Sequence, residues 1–336
     1  MSADAAPTPP VANPPPEVAG SPARRRWPTV LKWLALAGVL GFVGYALVGQ
    51  FRQIDWATLE FRAVPVLLAT LLLVGVSGVQ MISYRALLGA YAAAPDWRAM
   101  AAVAWIPPLG KYVPGKVAAL LGAMFMLRRF GVPSGVAVSV VLVLDGLAVI
   151  AGLVCASPIL AWEPVRRWVP GAGAYGVAVV AAGVVCLHPA VFGRLVNAGL
   201  RVVGRPPMPK MPSLRAYAVP VACAFAQWLL AGLALWWMTR SVAEVEVRSI
   251  GLFVSIAALA MTVSYLALFA PGGLGVREAI YLAALSAVPG VGAKGAVVVA
   301  LMRLAQTAVE LGLAGVGWRL LARGVSAGDG AASVRG

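Results

Sequence analysis

The sequence contains several apolar runs that are long enough to cross a lipid bilayer as helices. One of them covers residues 30–48 and directly follows three arginines, Arg24, Arg25 and Arg26. A helix needs about 20 mostly apolar residues to cross the hydrocarbon core, and its backbone groups bond one another there. The chain is 61% apolar and 12% charged, whereas soluble domains are closer to half apolar and a quarter charged. We therefore predict an all-α protein that crosses a membrane several times.

Six apolar runs predict six membrane-spanning helices, at about residues 30–48, 64–88, 134–157, 172–187, 216–238 and 295–318. The first run is longer than the apolar region of a signal peptide, so we predict an uncleaved span. Residues 1–26 are rich in Pro and Ala, which predicts a disordered arm. The membrane domain is predicted to cover residues 27–323, and residues 324–336 are predicted to be a disordered tail.

Two further apolar regions, residues 99–130 and 249–288, are interrupted by prolines and glycines. In the first region the apolar stretches 99–109 and 117–127 flank the segment PPLGKYVPGK and are each too short to span. The prolines forbid one continuous helix. We predict that each region forms a re-entrant helical hairpin, whose irregular tip must be covered by protein or reached by water. The alternative is that residues 99–130 cross the membrane outright.

The two interrupted regions belong to an internal repeat. In each copy a Pro-Gly pair precedes an apolar stretch, then Val-Pro, then a predicted span; the pairs are residues 114–115 and 132–133, then 271–272 and 288–289. Repeat 1 covers about residues 63–160 and repeat 2 about residues 214–322. An additional span between the copies predicts that the second copy is inverted, a plan that recurs in transporters.

The positive charge of the chain indicates its orientation in the membrane. The net charge is +15, from 27 Lys and Arg against 12 Asp and Glu. In a soluble protein such an excess suggests nucleic acid, but here the basic residues lie in short loops beside apolar runs. Basic loops are retained in the cytoplasm, so we predict six spans with both termini cytoplasmic and no nucleic-acid partner. An outright crossing by residues 99–130 would move Arg128 and Arg129 outside and weaken this bias.

Charged side chains at membrane depth require partners, because each costs about 2.5–3.5 kcal/mol at the bilayer centre on insertion scales. We expect these residues to pair or to face a hydrated cavity: Lys111, Lys116, Asp145, Arg277, Glu278, Arg303 and Glu310. Asp145 and Arg303 occupy nearly equivalent places in the two repeats, so an ion pair between them is predicted. Such a pair could balance the charge of a bound ligand. Alternatively, it is a structural ion pair that only holds two spans in register.

The segment PGGLGVRE, residues 271–278, is the sharpest local signal. Its glycines permit a tight turn, and the following half-helix presents free N–H groups and a positive dipole end, which attract anions. Arg277 adds a forked donor suited to phosphate. Alternatively, the glycines only allow close packing and Glu278 only neutralises Arg277. We predict that the anion is bound by Lys111, Lys116, Gly272, Gly273, Gly275 and Arg277, with charge balance or proton coupling by Asp145, Glu278, Arg303 and Glu310.

The sequence lacks the usual motifs of enzymes and metalloproteins. It has no GxxxxGK[ST] for nucleotide phosphates and no HExxH or GxSxG. The three cysteines lie in apolar runs without CxxC spacing. We therefore expect no cofactor and no metal, and we do not expect an enzyme. An intramembrane enzyme remains the weakest alternative, because the carboxylates lack an evident nucleophile or metal partner.

Three segments resemble a known family. YVPGK (residues 112–116), LRRFGV (127–132) and PGGLGVREA (271–279) look like the flippase-like integral membrane protein family, also called the lysylphosphatidylglycerol synthase transmembrane region family. The resemblance covers about residues 30–322. Residue by residue, the matches are Pro114, Gly115, Pro271, Gly272, Gly273, Gly275, Arg277 and Glu278. The chain resembles a stand-alone member without the aminoacyl-transferase domain, so only the lipid-handling half is expected to carry over.

The resemblance implies a lipid flippase of the bacterial inner membrane that moves an anionic phospholipid or a polyprenyl-phosphate-linked lipid between leaflets. The alternative is a membrane partner subunit that does not transport and instead presents lipid to a glycosyltransferase or lipid synthase. The partners implied are anionic membrane lipids and one such enzyme. The sequence leaves open the lipid, the direction and energy source of movement, and the oligomeric state.

The predicted topology can be checked with single cysteines at positions 129 and 273, in a chain whose three native cysteines are replaced. Because the two hairpins are predicted to enter from opposite faces, an impermeant thiol reagent should label the two positions from opposite sides of the membrane. Labelling of both from one side would contradict the inverted arrangement.

Overall fold

A computed structural model describes residues 60–91, 93–112, 117–202, 213–267 and 275–332. It also describes two isolated residues, Arg52 and Pro207. At residues 111, 112, 117, 118, 202 and 323–332 it describes the backbone alone. The predicted arm (residues 1–26) and first span (residues 30–48) lie outside the described residues. Within the described ranges all regular structure is helical, which confirms the predicted all-α class.

The helices are α1 (Ala63–Ala90), α2 (Trp97–Trp105), α3 (Val117–Arg129), α4 (Ser134–Ala156), α5 (Ala172–Leu187), α6 (Pro189–Val202), α7 (Leu214–Arg240), α8 (Ile250–Leu266), α9 (Val276–Ser286) and α10 (Gly295–Ala332). Short 3₁₀ turns are Pro107–Tyr112, Ser157–Ala161, Val247–Ser249 and Gly292–Lys294, and Glu163–Arg166 forms one further helical turn.

Five helical segments are long and apolar enough to cross a membrane: Ala63–Ala90, Ser134–Ala161, Leu214–Arg240, Val247–Leu266 and Gly292–Ala322. A sixth follows if the bent pair α5–α6 is counted as one. The chain is therefore a multi-pass membrane protein. One of the five, Val247–Leu266, contains α8 and was predicted as the first arm of a re-entrant hairpin. Among the predicted arms it alone has the length of a full span.

Helices α1 and α7 occupy equivalent places in the two repeats and pack along their length in opposite directions. The backbone N–H of Arg62, just before α1, donates to the carbonyl of Ser241, just after α7, over 2.9 Å. Halfway along, a methyl group built on Gly75 would lie 3.6 Å from Leu230. Equivalent helices that run antiparallel are related by an axis perpendicular to them, which is the inverted repeat predicted from the sequence.

The remaining packing follows the same symmetry. Helix α4 of repeat 1 packs on α8 of repeat 2, and the equivalent helix α10 packs on α2. Likewise α3 contacts α4 as α9 contacts α10. The core is accordingly divided between two buried clusters, one around Leu235 and Phe253 and the other around Leu127 and Leu147.

Each hairpin returns to the end of the bundle from which it started. Helices α2 and α3 lie between the end of α1 and the start of α4, which are at one end; α8 and α9 lie between the end of α7 and the start of α10, at the opposite end. Helix α2 has 9 residues and α3 has 13, or about 14 and 20 Å at 1.5 Å per residue. These lengths are too short to cross about 30 Å of hydrocarbon, as the re-entrant interpretation requires.

The two ends of the bundle differ in charge. We call one the basic end. Among the side chains described there, the exposed charged groups are arginines and one acid, Asp96, which caps α2. The arginines are Arg98, Arg128, Arg129, Arg194, Arg201, Arg215 and Arg319. The other, mixed end carries acids that pair with arginines, namely Glu60 and Glu244 with Arg62 and Glu163 with Arg166 and Arg167.

At the mixed end, Arg62 donates to Glu244 over 2.5 Å. This hydrogen bond holds the pKa of the Glu244 carboxyl below its usual range. The pair therefore supports the fold above that range and loses its effect as the pH falls through the lowered pKa. Both side chains are exposed, so the effect on stability is small.

Two boundaries differ from the sequence prediction. No helix is predicted between the spans at residues 172–187 and 216–238, but residues 189–202 form α6, bent by 87° from α5. The arginines of this segment suggest a loop, but Phe192, Val196 and Leu200 recur at helical spacing and give the helix an apolar side. Helix α10 also continues to Ala332, past the predicted boundary at residue 323, because no proline there ends it.

Close packing of α7 on α8 depends on Gly232. A methyl group at this position would stand 2.8 Å from the backbone nitrogen of Val254 and closer still to its Cα. We expect Gly232→Ala to separate the helices and destabilise the protein by about 1–3 kcal/mol, the usual cost of overpacking, as a lowered Tm in detergent.

Gly78→Ala is the matched control, because Gly78 lies inside α1 with no other atom within 4 Å of the added methyl group. Alanine favours helix there, so its Tm should be unchanged or raised. Equal Tm values for the two variants would contradict the tight crossing at Gly232.

Candidate functional site

Helix α9 begins inside the protein, and its first turn carries buried charge. Gly275 precedes the helix with φ +86°, a left-handed conformation that favours glycine. Three residues later, Glu278 Oε2 accepts the backbone N–H of Gly275 over 2.8 Å. Arg277 and Glu278 are only 5% and 9% exposed. One buried site thus contains the N-terminus of α9, the guanidinium of Arg277 and the carboxylate of Glu278.

The carboxylate of Glu278 joins two arginines from different elements. Its Oε1 accepts from Arg277 Nη2 at 3.0 Å and from Arg303 Nη1, on α10, at 3.3 Å. The ion pair expected between Asp145 and Arg303 is therefore corrected: the structure pairs Arg303 with Glu278. Asp145 is on α4 and Arg303 is on α10. Glu278, in the first turn of α9, lies closer to Arg303 and takes the place of Asp145 as its partner.

Arg277 has a second, weaker contact. Its Nη1 lies 3.5 Å from the thioether sulfur of Met261 on α8. A thioether accepts hydrogen bonds weakly, whereas charged oxygens form bonds to guanidinium that are about twice as strong as neutral ones. The position occupied by Met261 is therefore one where a phosphate or carboxylate oxygen would bind more strongly.

A polar cleft lies beside α8, at about mid-length of α4. It is lined by Asp145 together with Gln80, Ser83, Gln227 and Tyr265, which come from α1, α4, α7 and α8. Asp145 is surface-accessible within this cleft, and Tyr265 is 51% exposed. The cleft is narrow, with room for about one water molecule. Polar groups from both repeats therefore meet at this place.

Tyr265 connects the cleft with the charge cluster. Its hydroxyl lies within electrostatic range of Asp145, of Glu310 on α10 and of Arg277. Near the cluster, Oε1 of Gln306 is buried and has no hydrogen-bond partner among the described residues. Buried acceptors normally have a partner, so a water molecule or a ligand donor is expected there.

The structure brings Gly275, Arg277, Glu278 and Arg303 together, and Asp145 and Glu310 both lie within electrostatic range of Tyr265. Lys111 is on the 3₁₀ turn Pro107–Tyr112, where only the backbone is described. Lys116, Gly272 and Gly273 lie outside the described residues. The sequence interpretation missed Gln80, Gln227 and Tyr265; a glutamine in each of two equivalent spans was the available signal.

His, Cys, Asp and Glu side chains do not gather in groups of three within the described ranges. What the arrangement offers is a different chemistry: fixed guanidinium groups and a helix N-terminus for an anion, beside a polar cleft. Together with the inverted repeat, these features define a class, the polytopic helical membrane proteins with charged groups buried at membrane depth.

The family is established by direct comparison. The model of the family described as the lysylphosphatidylglycerol synthase TM region matches residues 31–315, so the chain belongs to that family. This confirms the resemblance noted from the motifs and ties the chain to lipid metabolism. A search of curated proteins finds no match to the chain.

Removing the charge of Glu278 tests whether the cluster holds the structure together. Glu278→Gln keeps the shape and the acceptor for Gly275, but leaves two guanidinium groups without their shared anion. Breaking a buried ion pair from one side costs about 3–5 kcal/mol, so we expect a clearly lowered Tm in detergent.

Glu244→Gln is the matched control at the exposed pair with Arg62 and should change the Tm little. A Glu278→Gln protein as stable as the wild type would show that the cluster does not stabilise the fold.

Proposed function

We propose that the chain binds an anionic lipid headgroup at the α9 N-terminus and moves it between the leaflets of the bacterial inner membrane. The observation that carries the proposal is the second contact of Arg277, whose Nη1 faces a thioether rather than a charged acceptor. A headgroup phosphate would replace this contact and gain the nearby helix dipole. The family membership supports a lipid as the ligand.

The charged groups at the cluster and in the polar cleft favour movement of a headgroup past them rather than of an acyl chain. Arg277 and Arg303 share Glu278, while Asp145 lines the polar cleft together with Tyr265. A phosphate would thus accept hydrogen bonds from fixed donors. The nearby carboxylates would weaken its binding enough for the headgroup to be released. The present cleft is too narrow for a headgroup, so movement requires the two repeats to shift against each other.

The distribution of charge supports one orientation. The basic end carries exposed arginines with Asp96 as its described acid, and the mixed end carries paired acids. Cytoplasmic loops are enriched in Lys and Arg, so we place the basic end in the cytoplasm. Both termini would then be cytoplasmic, with α8 and α9 entering from the outer face.

Translocation can be measured in liposomes that contain the purified chain and a fluorescent phosphatidylglycerol, by quenching the outer leaflet with dithionite. We expect Arg277→Gln to slow the exchange at least about tenfold, since a lost hydrogen bond to a charged group costs about 1.5–3 kcal/mol. Arg277→Lys keeps the charge without the fork and should be intermediate.

Arg167→Gln, at the exposed mixed end, is the control and should exchange lipid like the wild type. An Arg277→Gln protein that is folded and exchanges lipid at the wild-type rate would refute the proposed site.

A second candidate function is a partner subunit that presents lipid to a glycosyltransferase or lipid synthase without moving it. The narrowness of the cleft favours this alternative. Lipid bound through Arg277, absence of exchange in liposomes and copurification with such an enzyme would support it. In either case we propose that the described part of the chain binds lipid without catalysing a reaction.

A further inference from the structure

Helix α6 lies across the bundle rather than along it. It makes an angle of 87° with α5. Helix α5 has 16 residues, about 24 Å of rise, which is less than the hydrocarbon thickness of about 30 Å. A helix of this length that starts at one membrane boundary ends just short of the other, so α6 is expected to run close to the membrane plane at the basic end.

One side of α6 is anchored in the protein. Phe192 is 2% exposed, and its ring lies against Tyr217 with centroids 6.1 Å apart. It also covers Gly146 of α4, where an added methyl group would stand 2.7 Å from the ring. Leu200, two turns further along, is also buried. The orientation of α6 about its axis is thus determined by packing.

The other side of α6 has a cationic flank and an apolar flank. Arg194 and Arg201 are seven residues apart, so they lie on one flank with Ala190, and all three are exposed. Leu195 follows Arg194 by about 100° around the helix and is 50% exposed. One flank is therefore cationic and the other apolar, with the anchored side between them and the core.

The sequence on either side of the cationic flank contains no acidic residue. No Asp or Glu occurs between Glu163 and Glu244. At the start of α7, Arg215 is also exposed at the basic end. Arginines beside an apolar flank at a membrane boundary complement anionic lipids, whose phosphates lie above their acyl chains.

We propose that α6 is an interfacial helix that binds anionic phospholipids of the leaflet at the basic end, with Arg194 and Arg201 at the lipid phosphates and Leu195 among the acyl chains. This site is separate from the buried cluster at Glu278 and binds lipid whether or not the chain moves it.

Two nitroxide labels test the position of the helix in bilayers with phosphatidylglycerol. They are placed at Leu195→Cys and Ala190→Cys in the full chain with its native cysteines replaced. The label at 195 should collide more with oxygen than with a nickel chelate, and the label at 190 should show the reverse. Equal nickel access at both would place the helix in water, and shielding of both from both reagents would indicate a protein cover; either result overturns the proposal.

Lipid preference provides the second test, by native mass spectrometry of the detergent-purified chain titrated with phosphatidylglycerol or phosphatidylcholine. Each arginine near an anionic surface strengthens attraction about fivefold. The Arg194→Gln, Arg201→Gln double variant should therefore bind phosphatidylglycerol at least about tenfold more weakly and phosphatidylcholine as before.

The matched control carries Arg166→Gln and Arg167→Gln at the mixed end, where Glu163 pairs with both arginines. It should keep the wild-type preference. Unchanged phosphatidylglycerol binding by the α6 variant, or an equal loss in the control, would overturn the proposal. Liposome exchange through Arg277 can fail while both α6 results stand, so the two proposals are judged separately.

Discussion

The shared carboxylate of Glu278 is the contact on which the interior of this protein depends. In a low-dielectric interior, a guanidinium without an anion is costly, and two of them close together are more so. Glu278 meets both Arg277 and Arg303 and also caps the backbone at Gly275. One side chain thereby connects the start of α9 to α10 and allows a helix to begin inside the membrane domain, where uncompensated backbone and charge would otherwise be excluded.

The inverted repeat explains why such a helix start is available. Antiparallel packing of α1 on α7 places equivalent elements on opposite sides of one axis, so a hairpin enters from each end. In both hairpins the chain returns to the end from which it started; α8 packs on α4 and α7, and α2 packs on α10 and α1. The polar cleft forms at this boundary, with Gln80 contributed by one repeat and Gln227 by the other.

Much of this architecture could be predicted from the sequence, because apolar length and Pro-Gly interruptions are local signals. The repeat, the short arms of the first hairpin and the association of Arg277 with Glu278 follow from such signals. The ion-pair partner of a residue on another helix cannot be predicted from local signals. Arg303 was therefore assigned to Asp145 by symmetry, although it pairs with Glu278. Helix α6 was not predicted, because a segment with several arginines is typical of a loop, although Phe192 and Leu200 recur at helical spacing. Tyr265 was not predicted as a site residue, because the sequence does not show which way an aromatic residue of an apolar segment faces.

The symmetry of the fold is not matched by symmetry of charge. Asp145 on α4 and Arg303 on α10 occupy nearly equivalent depths in the two halves, yet one is an acid and the other a base. Conformations that exchange the roles of the halves would therefore differ in energy. A potential across the membrane acts on each charge that shifts along its field, by about 2.3 kcal/mol per 100 mV for a full crossing. A shift of one half against the other, as the proposed transport requires, would therefore respond to the membrane voltage.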